Sequence, residues 1–181
     1  MSAIGKTEIS YFYPIRKLMV RTIVDSDIEA VRILRNQPYI VETMRYKKPI
    51  SIEEQRQWWA NLNKLENQYC VMMEGSDLAG VVNLKNINLS RGTAEWGLFL
   101  EEKYQGAIYG VVAGLTILNF AFNELKLKTV IATVLRGNTK AHAFNTGLGF
   151  KLLEQNDEEI VYSVTCEDYA KYSIAYQKIL K

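Results

Sequence analysis

Histidine is nearly missing from this sequence. His142 is the only one in 181 residues, which excludes a metal centre built on several imidazoles. Cysteine is almost as scarce. Cys70 and Cys166 form no Cys-x-x-Cys pair and are too few for a disulfide framework. They are read as buried free thiols in a reducing cytosol. No apolar run approaches the roughly 20 residues that a bilayer span requires. The N-terminus shows no apolar signal core followed by a cleavage site, so a soluble, cytoplasmic chain without a membrane partner is expected. Charge of one sign is lacking too. Lys and Arg number 22 against 20 for Asp and Glu, a net charge of +2, too mild to argue for nucleic acid. The balance permits an anionic small ligand. There is no repeat, low-complexity tract or linker.

What is present is an ordinary globular composition on a chain long enough for one domain with a sizeable core. Residues 1–17 show no clear period and are read as an extension of a domain spanning 18–181, with Tyr11, Phe12 and Tyr13 available for packing. Leu18–Val24 is rich in β-branched residues and reads as a strand. Asp25 then suits a helix N-cap, with Ile28, Val31 and Leu34 as the buried stripe. Pro38 breaks that helix. Ser51-Ile52-Glu53-Glu54 is a capping box, and the helix it opens carries Trp58, Leu62 and Leu65 at helical spacing.

At Tyr69 the period changes to that of strands. Tyr69–Met73 and Leu78–Ile87 flank a turn at Glu74-Gly75-Ser76-Asp77 and form a hairpin. Thr93–Leu100 follows, with Ala94, Trp96, Leu98 and Leu100 on one face and Glu95, Gly97 and Phe99 on the other. Ile108, Val111, Val112, Leu115, Leu118 and Phe122 trace a long helix. A strand over Thr129–Leu135, a short helix over Asn138–Leu148, a hairpin over Lys151–Glu154 and Ile160–Thr165, and a closing helix over Asp168–Leu180 complete the chain. The order β-α-α-β-β-β-α-β-α-β-β implies an α/β fold: one central mixed sheet, helices on its faces.

Three segments can carry chemistry. The first is the junction from Leu98-Phe99-Leu100 through Gln105-Gly106-Ala107-Ile108-Tyr109-Gly110. Small residues where a strand feeds a helix leave backbone N–H groups free to face an anion, and the helix dipole adds favourable potential. A turn that merely starts a helix reads the same way. The second is Asn138-Thr139-Lys140-Ala141-His142-Ala143-Phe144-Asn145, continuing to Gly149-Phe150, which alone is a short amphipathic helix entering a strand. The third is Ala94-Glu95-Trp96-Gly97. Its carboxylate is either a solvent-face glutamate or a base in a cleft.

In this order and spacing, over residues 18 to about 165, the segments resemble the GNAT superfamily of N-acetyltransferases. That resemblance implies a single mixed, mostly antiparallel sheet flanked by helices, with acetyl-CoA as cosubstrate and no metal. Gln105, Gly106, Ala107, Ile108, Tyr109 and Gly110 stand where the family holds the coenzyme phosphates, with Ile108 replacing its middle glycine. Asn138 through Phe150 matches the second family motif. The family's frequent tyrosine, which protonates the leaving thiolate, is Asn145 here, and an amide is not an acid. Asn145 could hydrogen-bond the sulfur, with Asn138 and Lys140 beside the coenzyme. Tyr104, Tyr109 and His142 are other donors to weigh, His142 a poor one unless it faces the cleft. The resemblance also implies that strand 93–100 splays from strand 129–135. Pantetheine would enter the gap along Leu98, Phe99 and Leu100, and a backbone N–H near Leu98 would hold the oxyanion. Such a donor is typically worth about 2.7–4 kcal/mol.

Upstream, Leu34-Arg35-Asn36, Val41–Met44, Ile50–Gln55 with Trp58, and Val82-Asn83-Leu84-Lys85 are similar to amino-sugar nucleotide acetyltransferases of the pseudaminic acid type. This implies an acceptor amine on a nucleotide-linked deoxy amino sugar, at its 4-amino group. Glu95 would be general base, and Arg35, Asn36, Met44 and Lys85 would lie near the acceptor. Arg45, Lys47, Lys48 and Arg56 make a basic neighbourhood for a diphosphate or simply a solvated face. Trp58 and Trp59 adjoin, so one is expected to be buried. Ribosomal-protein N-acetyltransferases share the general plan, and a non-catalytic acetyl-CoA-binding domain fits Ile108 and Asn145. A homodimer is an expectation by analogy.

Overall fold

The computed structural model describes residues 8–106 and 108–176. Eight strands form one sheet in the order β1-β2-β3-β4-β5-β6-β8-β7. They are β1 Ser10–Tyr13, β2 Leu18–Thr22, β3 Gln68–Glu74, β4 Asp77–Asn88, β5 Thr93–Leu100, β6 Thr129–Leu135, β7 Lys151–Gln155 and β8 Glu159–Thr165. Only the β5–β6 pairing is parallel. The expected mixed, mostly antiparallel sheet is present, and it begins inside the segment read as an extension, since β1 pairs with β2.

Alternation along the strands gives each face of the sheet its own core. On one face Val20, Cys70, Met72, Val82, Leu84, Trp96, Val130 and Ala132 pack under α4 (Ile108–Asn119). Nine of the twelve residues of α4 are buried; a helix apolar on nearly every side belongs inside the molecule. A π-helical turn, Phe120–Glu124, ends it, still burying Phe122. Tyr169 of α6 (Cys166–Tyr176) anchors the closing helix by donating to Leu115 O at 3.2 Å. The last part of the closing helix expected from sequence, residues 177–180, lies outside the described residues. On the opposite face Val71, Val81 and Phe99 meet Ile28 and Val31 of α1 (Ile28–Arg35) and Trp58 and Trp59 of α3 (Ile52–Asn61).

The helix starts follow local chemistry. Ser51 Oγ accepts from Glu54 N at 3.1 Å while Ser51 N donates to Glu54 Oε2 at 2.6 Å, closing the expected capping box. At α1 the expectation needs correction. Asp25–Asp27 form a 3₁₀ turn, and Asp27 rather than Asp25 accepts from Val24 N at 2.8 Å and from Arg21 Nη1 and Nη2. Pro38 opens a one-turn helix, α2 (Pro38–Val41), instead of only ending α1; its missing N–H costs nothing at a first helical position. Three further expectations fail. α3 stops at Asn61, leaving Leu65 77% exposed. Trp58 and Trp59 are both half-buried. Cys70 is buried as expected, but Cys166 is exposed.

Candidate active site

The site is built on a defect in the sheet. β5 pairs with β4 from Thr93 to Leu100. Its parallel pairing with β6 covers only Thr93–Thr129, Ala94–Val130 and Glu95–Ile131. Beyond that point the two strands part, as the resemblance implied. A cleft of about 1470 Å³ opens there, lined by Gly97, Leu98, Phe99 and Leu100 from one side and Ala132, Thr133, Val134 and Leu135 from the other. Strand edges left without a partner offer backbone donors and acceptors to an extended ligand.

One end of the cleft meets the start of α4. Gln105, Gly106, Gly110 and Val111 line it. Gly106 has φ +73° and open space where a Cβ would stand, so glycine serves both the left-handed turn and close approach of a ligand. The first-turn amides of a helix lack internal partners and favour an anion. Lys140, on α5 (Thr139–Gly147), also lines the cleft, and its Nζ lies 3.4 Å from Gln105 Oε1. Asn138 Oδ1 caps α5 by accepting from Ala141 N at 3.2 Å. These features suit a phosphorylated, extended coenzyme such as acetyl-CoA. Ala107 lies outside the described residues. The Ile108 side chain packs against the core. The Tyr109 side chain turns from the cleft and donates to Glu74 Oε1 at 3.0 Å, so only its backbone could serve a coenzyme. Gly110 is less open than expected, since a Cβ there would lie 3.2 Å from Phe144 Cζ.

Asn145 is 4% exposed. Its Oδ1 accepts from Trp96 Nε1 at 3.0 Å and its Nδ2 donates to Ala141 O at 2.8 Å. The amide is thus committed to the core beside the cleft, which leaves it little to offer a sulfur atom. His142 is similarly occupied. Its Nδ1 lies 2.9 Å from the Tyr162 hydroxyl, and its Nε2 lies 3.1 Å from the carbonyl oxygens of Leu135 and Arg136. Two carbonyls at Nε2 place the ring proton there, and Nδ1 then accepts from tyrosine.

The other half of the cleft lies across β5, on the face carrying Glu95, Gly97 and Phe99. Glu95 opposes Lys85 on β4, with Lys85 Nζ at 3.7 Å from Oε1 and Asn86 Nδ2 at 3.5 Å from Oε2. Tyr69 and Trp58 form an edge-to-face pair, centroids 5.0 Å apart, and both line this half. Burial, with a further push from the Glu95 charge, raises the Tyr69 phenol to about 12. Arg35 and Met44 reach the cleft from α1 and the loop after α2. Burial lowers the Arg35 guanidinium below its usual value, yet arginine keeps its charge. Asn36 does not reach the cleft. Its amide closes a two-bond ring with Ile50, donating to O and accepting from N at 2.8 Å each, so its place is structural. Lys47 donates to Glu42 O, and Arg45 pairs with Glu159 across the cleft. Tyr39 donates to Glu101 Oε2 at 2.8 Å and accepts from Glu102 N at 3.1 Å, pinning α2 to the chain beyond β5. Tyr39 did not draw attention as a site residue in the sequence, because it acts through partners distant along the chain.

The chain belongs to the GNAT acetyltransferase family: the family model described as acetyltransferase (GNAT) domain matches residues 17–151. That family is a class of acyltransferases that draw on acetyl-CoA. Among individual proteins, the chain is similar to acetyltransferase PseH of Campylobacter jejuni, 26% identical over 153 residues that cover 84% of this chain and 87% of that protein. It is 24% identical over 153 residues to uncharacterized protein MJ1062 of Methanocaldococcus jannaschii, covering 82% of this chain but only 31% of that longer protein. Its fold matches apo FdhC, a nucleotide-linked sugar GNAT, with a TM-score of 0.80 and 22% identity over 97% of this chain and all of the other. Among the described residues no group of three or more His, Cys, Asp or Glu could hold a metal ion, and no helix is long and apolar enough to cross a membrane.

Proposed function

We propose that the protein transfers the acetyl group of acetyl-CoA to the primary amine of a nucleotide-linked amino sugar. The observation that carries this reading is the loss of β5–β6 pairing after Glu95–Ile131, which opens a strand edge beside a carboxylate. When bound, the coenzyme supplies an activated thioester in that gap. Amides of β5 near Leu98 hold its carbonyl and the negative charge that develops on it. The amides of Gly106, Ile108, Tyr109 and Gly110 and the Lys140 ammonium would hold the phosphates.

Glu95, directly or through one water, takes a proton from the incoming ammonium. The freed lone pair forms the C–N bond as the C–S bond breaks, and the thiol leaves with a second proton. Free thiols have a pKa of about 8.5, so the leaving group does not require a dedicated acid, and Asn145 has no such role. The charge pattern of the acceptor half favours a sugar nucleotide over a polyamine. Of the four carboxylates on the lining, Glu95 and Glu159 are each paired with a base and Glu54 serves its capping box, which leaves Glu42 against the cations of Arg35 and Lys140. The fold match to FdhC, a nucleotide-linked sugar GNAT, supports the same acceptor class, and the similarity to acetyltransferase PseH supports acetyl transfer.

Mass spectrometry of reactions with acetyl-CoA and a panel of 4-amino-sugar nucleotides, peptides and polyamines tests the acceptor. A gain of one acetyl on the sugar nucleotide is expected; acetylation of peptides alone would assign the protein-directed reading instead. Glu95→Gln is expected to lower kcat at pH 7 by about 10²-fold or more while acetyl-CoA affinity, measured by titration calorimetry, stays near wild type. Unchanged kcat would remove Glu95 from the role.

A further inference from the structure

Among the described residues two buried side-chain polar atoms have no hydrogen-bond partner, Arg35 Nη1 and Asn83 Oδ1, and both residues line the cleft. Asn83 is only 6% exposed. It stands on β4 opposite Gly97, one step along the same face from the Lys85–Glu95 pair. A Cβ at position 97 would lie 3.1 Å from Asn83 Oδ1 and 3.4 Å from Nδ2, so glycine there gives the amide the space it occupies in the cleft wall. Its neighbours Val81 and Val82 are fully buried, and an apolar residue in place of Asn83 would pack without an unpaired amide. A buried amide without a partner disfavours the folded state. Its presence points to a partner that arrives with the substrate.

Resting on the acetyltransferase reading above, we propose that Asn83 is an acceptor-recognition residue whose Oδ1 receives one N–H of the acceptor amine. An ammonium carries three protons. Glu95 takes one, a second leaves with the thiol, and the third stays as the N–H of the product amide. Asn83 Oδ1 holds the one that stays. With that hydrogen fixed on the β4 side, the nitrogen lone pair is turned along β5 toward the thioester carbon. A secondary amine has no third hydrogen to give, so this contact also selects primary amines.

The test compares wild type with Asn83→Leu, using the panel amine that wild type acetylates fastest and its N-methyl analogue. N83L is expected to lower kcat/KM for the primary amine by about 10–100-fold, to narrow its advantage over the N-methyl analogue, to leave the acetyl-CoA Kd within about two-fold, and to keep or raise Tm. Gly97→Ala, which crowds the same amide, is expected to share the loss. Wild-type amine kinetics in N83L would overturn the role of Asn83 alone. A lowered Tm with losses toward both substrates would make the residue structural and overturn it as well. A wild type that acetylates no amine of the panel would overturn the reading of the cleft, and Asn83 with it.

Discussion

Trp96 and Asn145 show how one substitution redirects a residue's work. Trp96 stacks on Phe150 with centroids 5.6 Å apart, and its indole N–H ends on Asn145 Oδ1. The position that the family motif gives to a proton donor here anchors a wall of the coenzyme half. Asn145→Leu leaves that N–H buried without a partner, which costs about 1–3 kcal/mol and lowers Tm by about 2–4 °C per kcal/mol in a chain of this size. Calorimetry reads the shift; an unchanged Tm would mean the bond carries no stability. The sequence pointed to Glu95 because a carboxylate amid apolar strand residues is conspicuous. It could not single out Asn83 within Val82-Asn83-Leu84-Lys85, because its unpaired state depends on what stands across the sheet at Gly97, nor separate Arg35 from Asn36, adjacent residues with different tasks.

Strands and capped helices were legible wherever a local period or cap sets them. Thr93–Leu100 and Thr129–Leu135 were read at their observed bounds, and Ser51 with Glu54 closed as expected. Errors fell where tertiary contacts decide. Asp25 and Asp27 are equivalent as candidate caps, but only Asp27 also meets Arg21, at 2.7 and 2.8 Å. Burial pushes the Asp27 carboxyl up, but the bonds from Arg21 and Val24 N–H outweigh it, so its pKa falls below the ordinary value. A depressed folded-state pKa gives stability that is complete above the unfolded value, about 3.9, and is lost as pH falls through the lower folded value. Asp27→Asn is expected to cost about 1 kcal/mol at pH 7. In urea unfolding its deficit against wild type narrows below about pH 4; a deficit independent of pH would contradict the assignment.

At the scale of the molecule, the cleft needs both faces of the sheet. The coenzyme half draws on α4 and α5, the acceptor half on α1, α3 and the loop after α2, and β5 is the strand they share. Arg45–Glu159 and Tyr39–Glu101 close the cleft from segments that lie far apart in sequence, which is why no local pattern foretold them. The parting of β5 from β6 was foreseen only through the family resemblance, because nothing in either strand's own period marks where pairing stops. Amide hydrogen exchange followed by NMR, with and without acetyl-CoA, tests that feature most directly. The account predicts that the amides of Leu98 and Leu100, which face the gap, and those opening α4 slow by at least about ten-fold on binding, while Gly97 and Phe99, bonded to β4, and Thr93 to Glu95, already paired, change little. Slowing confined to other parts of the sheet, with the Leu98, Leu100 and α4 amides unaltered at saturating coenzyme, would contradict it.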